Sequence, residues 1–258
     1  MSLALDLYVP GRSWLHRLDP RVKLWATFLG IAVAFLLPGP LEQALFLVFL
    51  HLLLRVAGVP WHLLGWLWRQ MGLLALFILI LQPFFSPSGP SLVTWGSLHL
   101  TVGGIEAALG LALRAVAMAF VAAGLLFTTD QGALVQGLVR LGVPYTWGLT
   151  LSLTLRFLPA INGLFLSIRE AQAARGWVAE GNFLRRARGY LPVLVAVVIG
   201  TLRLSDQLTL ALAARGLGIS ARRTTWHELR MRSDDWWCVG GVTALFVLFL
   251  VRRLWSGI

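Results

Sequence analysis

Two stretches of the chain end in the same way. Ala171-Gln172-Ala173-Ala174-Arg175-Gly176 recurs forty positions later as Ala211-Leu212-Ala213-Ala214-Arg215-Gly216, differing only at the second residue. A guanidinium is a fixed, planar fork suited to bidentate pairing with carboxylates, so each copy offers a cation that could be recognised with defined geometry. Each also closes an apolar stripe. Phe157, Ile161, Leu164, Ile168 and Ala171 lead to Arg175, and Val197, Thr201, Leu204, Leu208 and Ala211 lead to Arg215, with steps of four, three, four, three and four in both. At about 100 degrees per residue those steps sum to about five whole helical turns, which places each arginine above the start of its own stripe, on a buried or docking face. Glycine directly after the arginine fits the left-handed position that ends many helices, and a cation there complements the negative end of the macrodipole. Two well-capped helices would satisfy that description on their own. Stability alone, however, does not require the same stripe and offset twice, and two equivalent cations point to two equivalent receptors.

The remaining reactive side chains form no comparable pattern. No Gly-x-x-x-x-Gly-Lys-Ser/Thr phosphate cradle occurs, and the single lysine, Lys23, lies near Asp19, so the chain is expected not to be an ATPase. His16, His51, His62, His99 and His227 are scattered without an i, i+4 pair, and the lone Cys238 cannot build a thiolate site, so no metal is expected. Glu42 and Glu106 have no partners at their depth, which gives a membrane-embedded hydrolase or transferase poor support. Arg114 falls mid-span in an apolar run, where it could line a path but is better explained by helix packing. Asp206 can pair with Arg203 three residues earlier on one helix.

The elements that must carry these residues are membrane helices. The chain has 258 residues, 58% hydrophobic and 13% charged, with a mean hydropathy of +0.77, too apolar for an ordinary soluble domain. Its net charge of +11 is therefore better assigned to the membrane surface than to nucleic acid. Apolar runs at Val22 to Leu37, Leu41 to Ala57, Leu67 to Phe85, Ile105 to Phe127 and Trp236 to Leu254 predict five crossings, the first two short. The N-terminus lacks signal-peptide features. Arg12, Arg17, Arg21 and Lys23 precede the first span, whereas the loop from Gln82 to Gly104 is uncharged, so the N-terminus is expected to be cytoplasmic and that loop external. Tryptophans such as Trp61, Trp66, Trp68, Trp236 and Trp237 gather near span ends as an aromatic belt. Two more apolar stretches, Tyr145 to Ile168 and Tyr190 to Ala214, are long enough to cross. Between them, however, stand Arg169, Arg175, Arg185, Arg186 and Arg188, which the positive-inside rule keeps in the cytoplasm. They are read as long helices on the cytoplasmic side. Five crossings leave Arg252 and Arg253 outside, a conflict that the sequence does not resolve. The expected division is residues 1–127 for the first four spans, 128–235 for a cytoplasmic coupling region and 236–258 for the last span.

With Ala174-Arg175-Gly176 and Ala214-Arg215-Gly216 at helix ends, and with Leu15-His16-Arg17-Leu18-Asp19-Pro20-Arg21-Val22-Lys23-Leu24 before the first span, the chain resembles the transmembrane, or T, component of energy-coupling factor transporters. These are vitamin and metal-ion importers of the ABC class. The resemblance covers most of the chain. It implies an all-α integral membrane protein, with about five transmembrane helices plus long coupling helices on the cytoplasmic side. It further implies a multi-pass subunit of the cell membrane that is not itself an enzyme and carries no cofactor. In that family the two motifs dock on two ATPase subunits, A and A′, which bind ATP and magnesium, while a separate S component captures substrate. Asp19, Pro20, Arg21 and Lys23 match the N-terminal family segment. A third tripeptide, Ala187-Arg188-Gly189, departs from the pattern: no stripe leads into it and an apolar helix follows, so it is read as a loop or interface anchor. A conventional ABC permease subunit is the alternative. It would work as a pair with one coupling helix per chain, so stoichiometry separates the two. The transported substrate is not legible.

Overall fold

The computed structural model describes residues 8–11, 13–85, 91–95, 98–177, 182, 187–217 and 231–255, with backbone only between 91 and 100. Arg12, Arg185, Arg186 and His227, considered above, lie outside the described residues. Packing divides the chain into two compact units, residues 1–142 with 229–258, and residues 143–228.

The first unit opens with a single turn, α1 (Trp14–Arg17), followed by α2 (Pro20–Leu36), α3 (Pro40–Val56) and α4 (Trp61–Phe85). Asp19 starts α2 by accepting the Arg21 N–H at 2.9 Å, and Pro20 takes the first helical position, where no N–H is needed. A two-stranded antiparallel hairpin, β1 (Ser91–Trp95) and β2 (Leu98–Thr101), stands where the sequence predicted only a loop. Its β-branched and aromatic residues are short runs that helix-length hydropathy windows overlook. Then come α5 (Val102–Thr128), capped by Thr101 at the Gly104 N–H, and α6 (Gln131–Arg140), capped by Asp130.

The core of this unit lies between α3, α4 and α5, with Leu47, Leu50, Leu54, Leu64, Leu67, Val116, Phe120 and Phe127 buried. Small residues at the helix crossings, among them Ala108, Ala112 and Ala117 on α5, let backbones approach closely, as is usual where lipid replaces water. Outside the core, large side chains such as Phe28, Phe35, Leu45, Leu73 and Phe77 are exposed, consistent with a lipid-facing surface.

The second unit supplies α7 (Tyr145–Ala174) and α8 (Leu191–Ala214), and α9 (Ser233–Trp255) follows in the first. Three hydrogen bonds fix α9 parallel to α2: the Asp19 N–H donates to Asp235 Oδ1 at 2.9 Å, Trp25 Nε1 to Thr243 Oγ1 at 3.1 Å, and Arg253 Nη1 to the Leu36 carbonyl. Lys23 Nζ reaches the Thr128 carbonyl at 2.8 Å, so α5 ends beside the start of α2. Helices α2, α3, α4, α5 and α9 thus traverse the unit in alternation, and the chain leaves and returns at one end of it.

Among the described residues, five helices are long and apolar enough to cross a bilayer: α4, α5, α7, the stretch Ala187–Ala214 containing α8, and α9. This differs from the expected five. Helices α2 and α3 have 17 residues each, or about 26 Å, at the short end for a span. Length and composition admit α7 and α8 in their place, so charge and not hydropathy is what separates the two sets.

Candidate functional site

Helices α7 and α8 terminate in the same backbone motif. At the first, Trp177 N–H donates to the Gln172 carbonyl and Gly176 N–H to Ala173, both at 3.0 Å. At the second, Leu217 N–H donates to Leu212 and Gly216 N–H to Ala213, both at 2.9 Å. This paired six-to-one and five-to-two arrangement is the Schellman motif, which satisfies carbonyls that the helix leaves open. It needs a left-handed residue, and Gly176 and Gly216 supply it at φ of 84° and 76°. Arg175 and Arg215 are the C-cap residues, with nearly the same backbone angles, φ and ψ of −89° and 12° against −86° and 8°. Both side chains are exposed, and among the described residues neither is in an ion pair.

The stripes have a different destination from the arginines. Phe157, Ile161, Leu164 and Ile168 are half-buried, as are Val197, Thr201, Leu204 and Leu208, while Ala171 and Ala211 are exposed. Helices α7 and α8 pack on each other, and a Cβ placed at Gly200 would lie 2.8 Å from Leu164 Cδ2, so the absence of a side chain there lets Leu164 seat against the α8 backbone. The stripe is therefore the seam of a helical hairpin and not itself a free docking face. Among the described residues its tips, Arg175 and Arg215, are exposed.

Chain direction places those tips apart. Trp177, just past α7, donates its ring N–H to the Gly189 carbonyl at 2.6 Å and meets Tyr190 edge-on at 5.0 Å, just before α8. With Leu164 against Gly200, the helices run antiparallel from there. At 1.5 Å per residue, Arg175 and Arg215 lie on the order of 40 Å apart at opposite ends of the pair.

The third tripeptide is built otherwise. Ala187, Arg188 and Gly189 form a helical turn leading into α8, Gly189 is not left-handed, and its carbonyl accepts from Trp177. Arg188 is exposed at a helix beginning, where a cation meets the positive end of the dipole. The predicted pairing of Arg203 with Asp206 is not formed among the described residues: both side chains are exposed, and water competes well for such a pair.

The N-terminal segment is a buried polar hub in the first unit. Asp19 and Lys23 are 6% and 7% exposed, and Asp235, at 3%, lies with them. Arg21 makes an ion pair with Asp19 at 3.8 Å. Lys23 Nζ donates to the His16 carbonyl at 3.3 Å as well as to Thr128. His16 in turn holds the Val9 carbonyl through Nε2 at 2.9 Å, and burial pulls its imidazole below the usual histidine range. Pro20 packs under α6, where a Cβ at Gly137 would lie 3.2 Å from Pro20 Cβ. Asp235 was missed in the sequence because it lies more than two hundred residues from Asp19, and no spacing rule joins them.

Arg114 and Arg253 act on one helix end. Arg114 Nη2 donates to the Leu37 carbonyl at 3.1 Å, which also accepts from Gln43 Nε2 at 3.0 Å, and Arg253 donates to Leu36. Two cations thus meet the negative end of α2.

Comparison with known proteins agrees with this geometry. The family model described as cobalt transport protein matches residues 11–226. The energy-coupling factor transporter transmembrane protein EcfT of Listeria innocua is 32% identical over 243 residues, covering 91% of this chain and 92% of its own. That of Lacticaseibacillus paracasei is 32% identical, covering 98% and 99%, and that of Acidaminococcus fermentans 30%, covering 98% and 97%. The match spans the polar hub, both Schellman ends and the helices that lead to them, and the chain belongs to this family of energy-coupling factor transporter transmembrane proteins.

Proposed function

We propose that this subunit transmits motion from two ATPase subunits, each docked on one of the matched helix ends, to a membrane-embedded S component that carries the substrate, a vitamin or a metal ion. One observation carries the reading: two exposed arginines, presented by matching Schellman caps at opposite ends of one helical pair. Two like receptors, held apart, are what such a pair can engage at once. Ala174, Arg175 and Gly176 form one contact, and Ala214, Arg215 and Gly216 the other. ATP and magnesium belong to the partners, and this chain supplies no catalytic group. Its hairpin of α7 and α8 lies at the cytoplasmic side of the cell membrane, the N-terminus is cytoplasmic, and α2 to α5 with α9 are the spans. On this division residues 128–235 are the coupling region, although α6 packs with the spans.

Docking would bury each arginine against carboxylates of its groove. Removing one member of a buried charge pair costs about 3 to 5 kcal/mol, against less than about 1 kcal/mol for an exposed pair. The test is copurification of the ATPases with the membrane complex. Arg175→Ala or Arg215→Ala is expected to lower it, and the double variant to lower it further. Lysine at either site should restore only part, because a point charge lacks the bidentate fork. Arg188→Ala, at a helix start, should leave docking intact. Equal damage from Arg188→Ala would overturn the assignment. Mass measurement of the complex should give one copy of this chain with two ATPase subunits.

A further inference from the structure

Within the first unit, the end of α6 and the start of α9 are held by the same few residues at the start of α2. The chain leaves the first unit after Gly142, directly beyond α6, and α6 rests on Pro20 through the bare backbone of Gly137. It re-enters the first unit at Leu229, and six residues later stands Asp235. The two carboxylate oxygens of Asp235 are divided between two helix starts. Oδ2 accepts the Arg232 N–H at 2.8 Å, reaching back from the third position of α9 as the acidic half of a capping box, and Oδ1 accepts the Asp19 N–H at 2.9 Å at the N-cap of α2. One buried carboxylate thereby joins two parallel helix N-termini, where both macrodipoles favour a negative charge. Asp19 is pinned to Asp235 through its own N–H and adjoins the proline under α6.

From this arrangement we infer that Asp235 is a positioning residue of energy transmission: it clamps the start of α9 to the start of α2, where Pro20 also seats α6, so that α2 and α9 are displaced as one body. The inference rests on the coupling role proposed above. Asp235 lies beyond the 11–226 match to the family model, and the comparisons assign it no role. The hydrogen bonds give it one. A capping residue with only a local role would need one oxygen and one helix. Here the second oxygen crosses to another helix, and both groups it joins are buried, so breaking the link leaves an orphaned N–H at Asp19.

The test uses the assembled complex in lipid nanodiscs, with spin labels at Phe28→Cys on α2 and Trp237→Cys on α9 in a Cys238→Ser background, both labelled positions being exposed. The label separation is measured without nucleotide and after trapping with ATP and vanadate. In the otherwise native chain the separation is expected to be the same in both states. In Asp235→Ala it should shift or broaden on trapping, with ATPase copurification unchanged. Asp235→Asn, which keeps one acceptor oxygen, should broaden less. A change of separation in the native chain would show that the two helix starts part during the cycle and would overturn the clamp, whether or not Asp235→Ala folds. So would an unchanged separation in Asp235→Ala, or loss of ATPase copurification in that variant. The docking reading fails separately, if Arg175→Ala and Arg215→Ala leave copurification untouched.

Discussion

Lys23 is the chain's single lysine, and its ammonium lies almost wholly inside protein, between two backbone carbonyls and near two carboxylates. Asp19 already has Arg21 as an ion partner, so Lys23 serves the hub through its two carbonyl bonds and through its charge near Asp235 and Asp19. Lys23→Met keeps the length of the side chain and removes the charge. It leaves the Thr128 and His16 carbonyls without this donor and is expected to cost on the order of 1 to 3 kcal/mol, lowering the thermal midpoint of the purified chain. Beside Lys23, burial lowers the pKa of His16 against an opposing pull from the Val9 carbonyl, and the nearby ammonium adds a smaller lowering. Its folded pKa lies below the unfolded value of about 6.5, so the folded state binds fewer protons as pH falls. The stability that neutral His16 contributes is complete above that value and is lost below it. Unfolding midpoints measured from pH 7.5 down to 5 should fall, and His16→Gln, which still bonds but does not titrate, should flatten the slope.

At the scale of elements, the arginine tips depend on how their helices stop. Gly176 and Gly216 are left-handed, and a β-carbon there costs about 1 to 2 kcal/mol, whereas Gly189 is not left-handed and a Cβ would meet only Trp177 Nε1 at an ordinary 3.9 Å. Gly176→Ala and Gly216→Ala should therefore fray the caps, seen as faster amide exchange at Trp177 and Leu217, while Gly189→Ala should not. These two ends were fully legible in the sequence, because a Schellman cap is local and glycine is its signature. The stripes were legible as faces but not as to what covers them: periodicity shows that Leu164 must be covered, and only the fold shows that Gly200 covers it. The β1–β2 hairpin was not legible as strand, being too short beside the long helical runs to declare a period. Nor was the Asp19–Asp235 bond, which depends on α2 and α9 lying parallel.

For the molecule as a whole, the open matter was the side on which each helix lies, and the parallel run of α2 and α9 narrows it. Thr128 and Asp235 both sit at the Asp19 end of the first unit, so the residues between them begin and end on one side. That requires α7 and α8 either to cross together or not to cross at all. Hydropathy admits crossing, and the arginines between the helices oppose it. The conflict posed by Arg252 and Arg253 also lessens: Arg253 is directed onto the Leu36 carbonyl at the far end of α2, where a guanidinium serves as a helix cap, so it is not simply a charge left in the outer aqueous phase. On the topology proposed above, α7 and α8 do not cross. Single cysteines at Ser88 and Asn182, in a Cys238→Ser background, are to be probed in intact cells with a membrane-impermeant thiol reagent. Position 88 should react from outside, and position 182 only after the membrane is opened. External labelling at 182 would put the loop after Arg175 outside the cell, away from any cytoplasmic ATPase, and the coupling assignment would fall with the topology.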